Sequence, residues 1–252
     1  MARQGRSAER AAKASYTGRM PVLLALDTST ERLAVALVAD GAPRTLDEDG
    51  GARASARIVP AAMQLLADAG VRAEDLDGVA FGRGPGAFTG LRTACAVAQG
   101  LAYGVSKPVL PIDSLLIVAE DAREQLGGAA GFAVWVAMDA RMGESYAASY
   151  AWDGVRWHVH TQPALYTLDA LSARWETAPP SVVAGSALTA YDGRLHASAA
   201  RPVPQVRHRA AALARLALQA WNEGAAIDPA LALPLYLRDK VALTEAERRV
   251  VQ

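Results

Sequence analysis

One cysteine, Cys95, among 252 residues excludes internal disulfides and thiolate metal clusters. No apolar run reaches the roughly 20 residues that span a bilayer as a helix, so the chain reads as soluble, with no membrane partner. Aromatic residues are scarce at 6%, and alanine supplies much of the 52% hydrophobic content. Ala-rich chains form helices at low cost and pack them closely, which points to helices layered on sheets. Net charge is also absent, with 26 basic and 26 acidic residues, but the two signs are unevenly spread. Residues 1–20 hold Arg3, Arg6, Arg10, Lys13 and Arg19 against Glu9 alone, leaving 21 basic and 25 acidic side chains in the other 232. An acidic body argues against a dedicated polyanion-binding surface, because phosphate contacts need clustered Lys and Arg. The basic head reads as a tail outside the fold, a loose segment or a non-native start upstream of Met20, with a transit peptide as the alternative.

Familiar catalytic sets are missing as well. His158, His160, His196 and His208 form no i,i+4 pair on a helix and stand beside no carboxylate pair, so the pattern offers no metal site. No nucleophile elbow of the Gly-x-Ser-x-Gly type occurs, and Cys95 falls on the apolar stripe of a helix, where a thiol is ordinarily inert. No sequence repeat is visible.

The order of elements nevertheless repeats. Val22 to Asp27 is a continuous apolar run ending on a carboxylate, as a buried strand reads. Leu33–Ala39 and Arg44–Leu46 complete an antiparallel meander through the turn at Asp40-Gly41. A helix over 54–69 ends at Gly70. The strand Val79–Phe81 then feeds Gly82-Arg83-Gly84-Pro85-Gly86-Ala87-Phe88-Thr89-Gly90 and a second helix. Pro108–Leu110 forms a strand, and Ser114 caps a third helix running to about Gln125. After the linker Gly127 to Gly131 the pattern restarts with strands Phe132–Met138, Glu144–Trp152 and Val155–Thr161. A helix Leu168–Trp175, a strand Ser181–Ala184, a helix Ala210–Trp221 and a charged helix from Thr244 follow. The expected organisation is a first lobe over 21–126, to which 230–252 returns, and a second lobe over 127–229. Such lobes face each other across a cleft, where ligands bind.

Two segments can carry chemistry. Asp27-Thr28-Ser29-Thr30, at a strand end, can hold a hydrated Mg²⁺ and touch phosphate oxygens; equally, its side chains can satisfy only the amides of a turn. The glycine-rich stretch before the second helix can present unpaired N–H groups to an anion, with Gly84 and Gly86 admitting a close approach, or can be a tight structural turn with Thr89 near the N-cap. Dinucleotide binding is disfavoured by Pro85, by the meander opening and by Lys107 where an acidic residue belongs, and no Gly-Lys-Ser/Thr follows for a phosphate-binding P-loop. The apolar stripes of the first two helices can cover a sheet or form an interface.

These segments resemble the TsaB family, bacterial accessory subunits of tRNA threonylcarbamoyladenosine synthesis. The resemblance is carried by Asp27 to Thr30, Gly82 to Arg92, Ala98 to Ala102, Asp139-Ala140-Arg141-Met142-Gly143-Glu144 and Pro234 to Ala242. It implies an α/β, two-lobed fold of the actin/Hsp70/sugar-kinase (ASKHA) type, with mixed sheets flanked by helices. It also implies a cytoplasmic, non-catalytic subunit that scaffolds a TsaD-like transferase together with a TsaE-like ATPase, reaches tRNA through that complex, and forms a homodimer when alone. No cofactor is expected on this chain itself; ATP and Mg²⁺ are expected in the complex. The family's helical bundle makes Ile58, Val59, Met63, Leu66, Leu91, Ala94, Cys95 and Ala98 interface candidates, and Asp27, Thr28, Ser29, Gly84 and Gly86 a candidate vestigial nucleotide cleft. The His-x-x-x-His motif of TsaD-like enzymes has no counterpart in Ala54 to Pro60, which removes the basis for a peptidase or transferase reading. The alternatives are an ATP-dependent phosphotransferase working through Asp27 and the glycine loop and, more weakly, a metallopeptidase.

Overall fold

The computed structural model describes residues 19–197 and 199–238; the basic head up to residue 18 and the charged helix expected from Thr244 lie outside them. The first half opens on β1 (Leu23–Asp27), β2 (Arg32–Val38) and β3 (Arg44–Asp49), then α1 (Ala54–Ala69), β4 (Gly78–Gly84), α2 (Phe88–Gly104), β5 (Val109–Asp113) and α3 (Ser114–Gln125). The second half repeats the scheme with β6 (Phe132–Asp139), β7 (Glu144–Trp152), β8 (Trp157–Thr167), α4 (Leu168–Thr177), β9 (Val182–Ala184), α5 (Ala187–Ala190), β10 (Arg201–Val203) and α6 (Arg209–Asn222).

The two sheets share one topology. The first has the order β3-β2-β1-β4-β5 and the second, read the same way, β8-β7-β6-β9-β10. In each, the opening three strands are antiparallel and the last two are parallel to the first. This is the duplicated frame of the actin/Hsp70/sugar-kinase fold. β10 and α5, each too short to impose a period on the sequence, were not expected, and β8 extends six residues beyond the predicted strand end at Thr161.

Strand alternation sorts the side chains into layers. Leu24 and Leu26 of β1 and Leu33, Val35 and Leu37 of β2 face Ile58, Leu66, Ala94 and Ala98 on α1 and α2. Leu23, Ala25, Ala34 and Ala36 point the other way, into a core shared by α3, α6 and the second sheet through Val134, Val136 and Tyr150. Successive side chains of a strand face opposite sides, so a strand buried on both sides reads as the continuous apolar run seen at residues 22–27. A third cluster, around Leu168, Leu171 and Trp175, covers the far side of the second sheet.

Two expectations need correction. Helix α6 falls inside the stretch 127–229 assigned to the second lobe, yet it packs on β1, β2, β3 and β5 of the first sheet and on α3. Its N-terminus is held there by Asp47 of β3, which accepts from the Ala210 amide at 3.2 Å to each oxygen. The physical reason is α6's apolar stripe of Ala210, Leu213 and Ala217, which closes the exposed inner face of the first sheet. The cap of α3 is Asp113, which accepts from the Leu115 amide at 2.9 Å, and not Ser114. The Ser114 hydroxyl is instead turned to β4 and Asp27.

The lobes are joined by more than their linker. Tyr150 of the second sheet donates to Asp113 at 2.6 Å, and the Trp157 indole donates to Glu120 of α3 at 3.0 Å. Burial pushes the Asp113 carboxyl up, against the lowering effect of the Tyr150 hydroxyl and the Leu115 amide.

Candidate functional site: the cleft and the outer helices

A cleft of about 680 Å³ lies between the lobes, lined by Ser29, Gly86 and Phe88 of the first, Asp139, Arg141 and Ser186 of the second, and the segment 235–238. It lies beside the ends of β1 and β6, the equivalent first strands of the two sheets. Each ends on an aspartate, Asp27 and Asp139.

Asp27 is fully buried. The Arg209 guanidinium, at the start of α6, lies across it with Nη2 at 3.1 Å and Nε at 3.3 Å. Ser29 completes the cluster: its amide and hydroxyl donate to Asp27 at 2.7 and 2.8 Å, and its Oγ accepts from Arg209 at 2.8 Å. The Arg209 and Asp27 side chains are 3% and 0% exposed. An aspartate positioned to hold a hydrated cation needs a free oxygen facing solvent. Here both oxygens are engaged and a guanidinium fills the space beside them, so the residues present do not fit Mg²⁺ at Asp27.

The glycine loop has an equally local cause. A Cβ at Gly82 would lie 2.0 Å from the Asp27 carboxylate, one at Gly86 would lie 2.3 Å from the Ser29 carbonyl, and one at Gly90 would lie 1.8 Å from the Thr28 carbonyl. Thr28 Oγ1 donates to the Gly90 carbonyl at 2.7 Å, and the Ala87 amide to that of Ser29 at 2.8 Å. These glycines let the loop and the start of α2 press against the end of β1. Of the five predicted cleft residues, Ser29 and Gly86 line the cavity, while Asp27, Thr28 and Gly84 lie behind it. Thr89 is within α2, whose N-cap is Ala87.

The second lobe builds the matching corner differently. Asp139 accepts from the Tyr191 hydroxyl at 2.6 Å and from the Arg141 amide at 2.7 Å. Burial and this carboxylate raise the Tyr191 hydroxyl to about 12. Gly185, with φ +116°, abuts the Ala137 carbonyl, as the first-lobe glycines abut β1. The arginines lining the cleft are all paired: Arg32 with Asp49, Arg141 with Asp139 and Glu31, Arg209 with Asp27, and Arg238 with Glu144. Among the described residues, no group of three or more His, Cys, Asp or Glu side chains is placed to hold a metal ion. Arg209 was missed by sequence reasoning, because nothing local marks a residue 182 positions away as the partner of Asp27. Asp139 was legible only as a motif residue, although its place at a strand end repeats that of Asp27.

The predicted interface residues divide sharply. Ile58, Leu66, Leu91, Ala94, Cys95 and Ala98 are buried within the chain's own core, whereas Val59 and Met63 are 40% and 47% exposed. With Ala56, Pro60 and Ala67, also exposed, Val59 and Met63 form an apolar stripe at helical spacing on the outer side of α1. Ala96, Gly100 and Tyr103 of α2 are exposed as well. Burial raises the Cys95 thiol, so it is a core group and not a reactive one.

The chain is 33% identical over 235 residues to the tRNA threonylcarbamoyladenosine biosynthesis protein TsaB of Escherichia coli (strain K12), covering 87% of this chain and 96% of that protein. The chain belongs to the TsaB family. It is 43% identical over 134 residues to the TsaB of Haemophilus influenzae, covering 53% of this chain and 56% of that one. Residues 49–244 match the TsaD family, described as tRNA N6-adenosine threonylcarbamoyltransferase. YeaZ from Pseudomonas aeruginosa superposes with a TM-score of 0.77 at 36% identity, over 86% of this chain and 100% of that one. As a TsaB-family member, the chain is a tRNA threonylcarbamoyladenosine biosynthesis protein. No helix of the described residues is long and apolar enough to cross a membrane.

Proposed function

We propose that this chain is a non-catalytic subunit of tRNA N6-threonylcarbamoyladenosine synthesis, working in the cytoplasm as a scaffold for a TsaD-type transferase together with a TsaE-type ATPase. The observation that carries the reading is the buried pairing of Asp27 with Arg209. It takes the carboxylate at the end of β1, the one that sequence marks as a cation ligand, out of use as a ligand or base. Chemistry, ATP, Mg²⁺ and most tRNA contact then belong to the partners, in keeping with the acidic body. The exposed stripe centred on Val59 and Met63 is the docking face for the paralogue, and in its absence for a second copy. Exposed apolar side chains in a row at helical spacing favour a protein partner over solvent.

Reconstituted modification of unmodified tRNA, with and without this chain, tests the reading. Omission should abolish product, and the chain alone should yield none. Product formed at an undiminished rate without it, or calorimetric ATP binding that is lost in Asp27→Ala, would replace the scaffold with another role.

A further inference from the structure

We infer that residues 232–238 are a strap that ties α2 to the second lobe and thereby holds the turn at Arg141 and Met142 that lines the cleft. After α6 the chain stays on the first lobe, where Ile227 bridges to Val109. It then runs along α2, and Gln99 donates to the carbonyls of Pro229 and Ala232 at 2.8 and 3.3 Å. The Leu235 amide donates to the Arg83 carbonyl at 2.6 Å. A Cβ at Gly84 would lie 2.7 Å from the Leu235 carbonyl, so glycine is what lets the strap sit so low. Arg92 stacks on Phe88 at 3.8 Å and donates to the Tyr236 hydroxyl at 3.0 Å. Up to this point every contact is with the first lobe.

Arg238 then crosses the cleft. Its Nη2 donates to Glu144 at 2.6 Å and to the Arg141 carbonyl at 3.4 Å, while Nη1 meets the Met142 sulfur at 3.0 Å. The turn it grips is costly: Arg141, Met142 and Gly143 are successive left-handed residues, with φ of +63°, +56° and +71°. Only glycine adopts that conformation freely, so the turn depends on being held. Asp139 holds it from below through the Arg141 amide, and Arg238 holds it from the strap. Movement of α2 at Arg92 and Gln99 is therefore transmitted through the strap to a strained turn that lines the cleft. The inner lobe contacts at Asp113 and Glu120 act as the fixed end.

Hydrogen exchange of the full chain, read at residues 140–146, tests the strap. Glu144→Gln and Arg238→Leu should speed exchange of the Ala140 and Glu144 amides about fivefold, the scale of losing one partly buried ion pair. Gln99→Leu and Arg92→Leu, which touch only the first lobe, should also speed exchange there, by about twofold. Exchange over residues 23–38 should stay at the wild-type rate in all four. Reversing the pair with Glu144→Arg and Arg238→Glu together should recover part of the protection. Unchanged exchange at the turn in both Gln99→Leu and Arg92→Leu would overturn the strap, leaving Arg238 a local clamp. An equal rise over residues 23–38 would overturn it too, since the whole fold would then have loosened.

Discussion

The two lobes are built on the same five-strand order, yet they present opposite outer faces to solvent. On the first sheet, α1 and α2 run 16 and 17 residues. On the second, their equivalents α4 and α5 run 10 and four. The outer side of α4 exposes Asp169, Arg174, Glu176 and Thr177, an ordinary solvated face, while α1 exposes Val59, Pro60 and Met63 in a row. Both sheets need their outer faces covered, so burial alone accounts for the buried stripe of each helix but not for this difference. The lesson is that the duplicated frame supplies stability, and that elaboration of one copy supplies the exposed apolar stripe proposed as the docking face.

The largest expected effect separates the two sides of one helix pair. Ala98→Glu drives a carboxylate against the first sheet, where Ala98 is fully buried, and should cost at least about 4 kcal/mol and lower Tm steeply. Met63→Glu, on the outer side, should change stability by no more than about 0.5 kcal/mol while abolishing co-elution with the transferase subunit on size exclusion. Ala170→Glu on the exposed side of α4 should do neither. If Met63→Glu and Ala170→Glu behave alike, the contrast between the lobes is decorative.

Next in size is the contrast between the two strand-end aspartates. Arg209→Met strands the Asp27 carboxylate in a dry site and should cost about 3 kcal/mol in denaturant unfolding. Adding Asp27→Asn should recover most of that loss, because the pair and not the arginine alone is what the fold requires. The corresponding Tyr191→Phe, which removes one of several donors to Asp139, should cost only about 1 kcal/mol.

The smallest effect probes the joint between the lobes. Burial raises the Asp113 carboxyl above its unfolded value, so the native state keeps its proton to higher pH than the unfolded chain does. Stability from this group is full below the unfolded pKa and is lost as pH rises through the native one. Asp113→Asn removes that dependence and still offers an acceptor to the Leu115 amide. Relative to wild type, it should gain stability between pH 4 and pH 8 in urea unfolding. A constant difference across that range would mean that the Asp113–Tyr150 contact carries no ionisation cost.

Much of this was legible in the chain itself. The bounds of α1 and β7 follow from periodicity and punctuation, with Gly70 at φ +66° closing the helix where a left-handed residue is needed. The duplication was legible as an order of elements, although no repeated sequence marks it. A strand of three residues and a helix of one turn leave no periodic trace, which is why β10 and α5 were missed; β9, Val182–Ala184, was legible as the buried run Ser181–Ala184. The glycine loop was recognised as close-packed, but sequence left open whether a ligand or the chain's own backbone makes the close approach.

What the sequence determined by itself is the longer elements and their order, because hydrophobic period and turn residues act over neighbours. It also determined the family, because the motifs that carry the resemblance are local runs that occur in order along the chain. The tertiary structure alone decided which aspartate is neutralised and by what, which side of α1 faces out, and where α6 belongs. Those are contacts between residues far apart in the chain, and nothing in the local pattern of Asp27 names Arg209 as its partner.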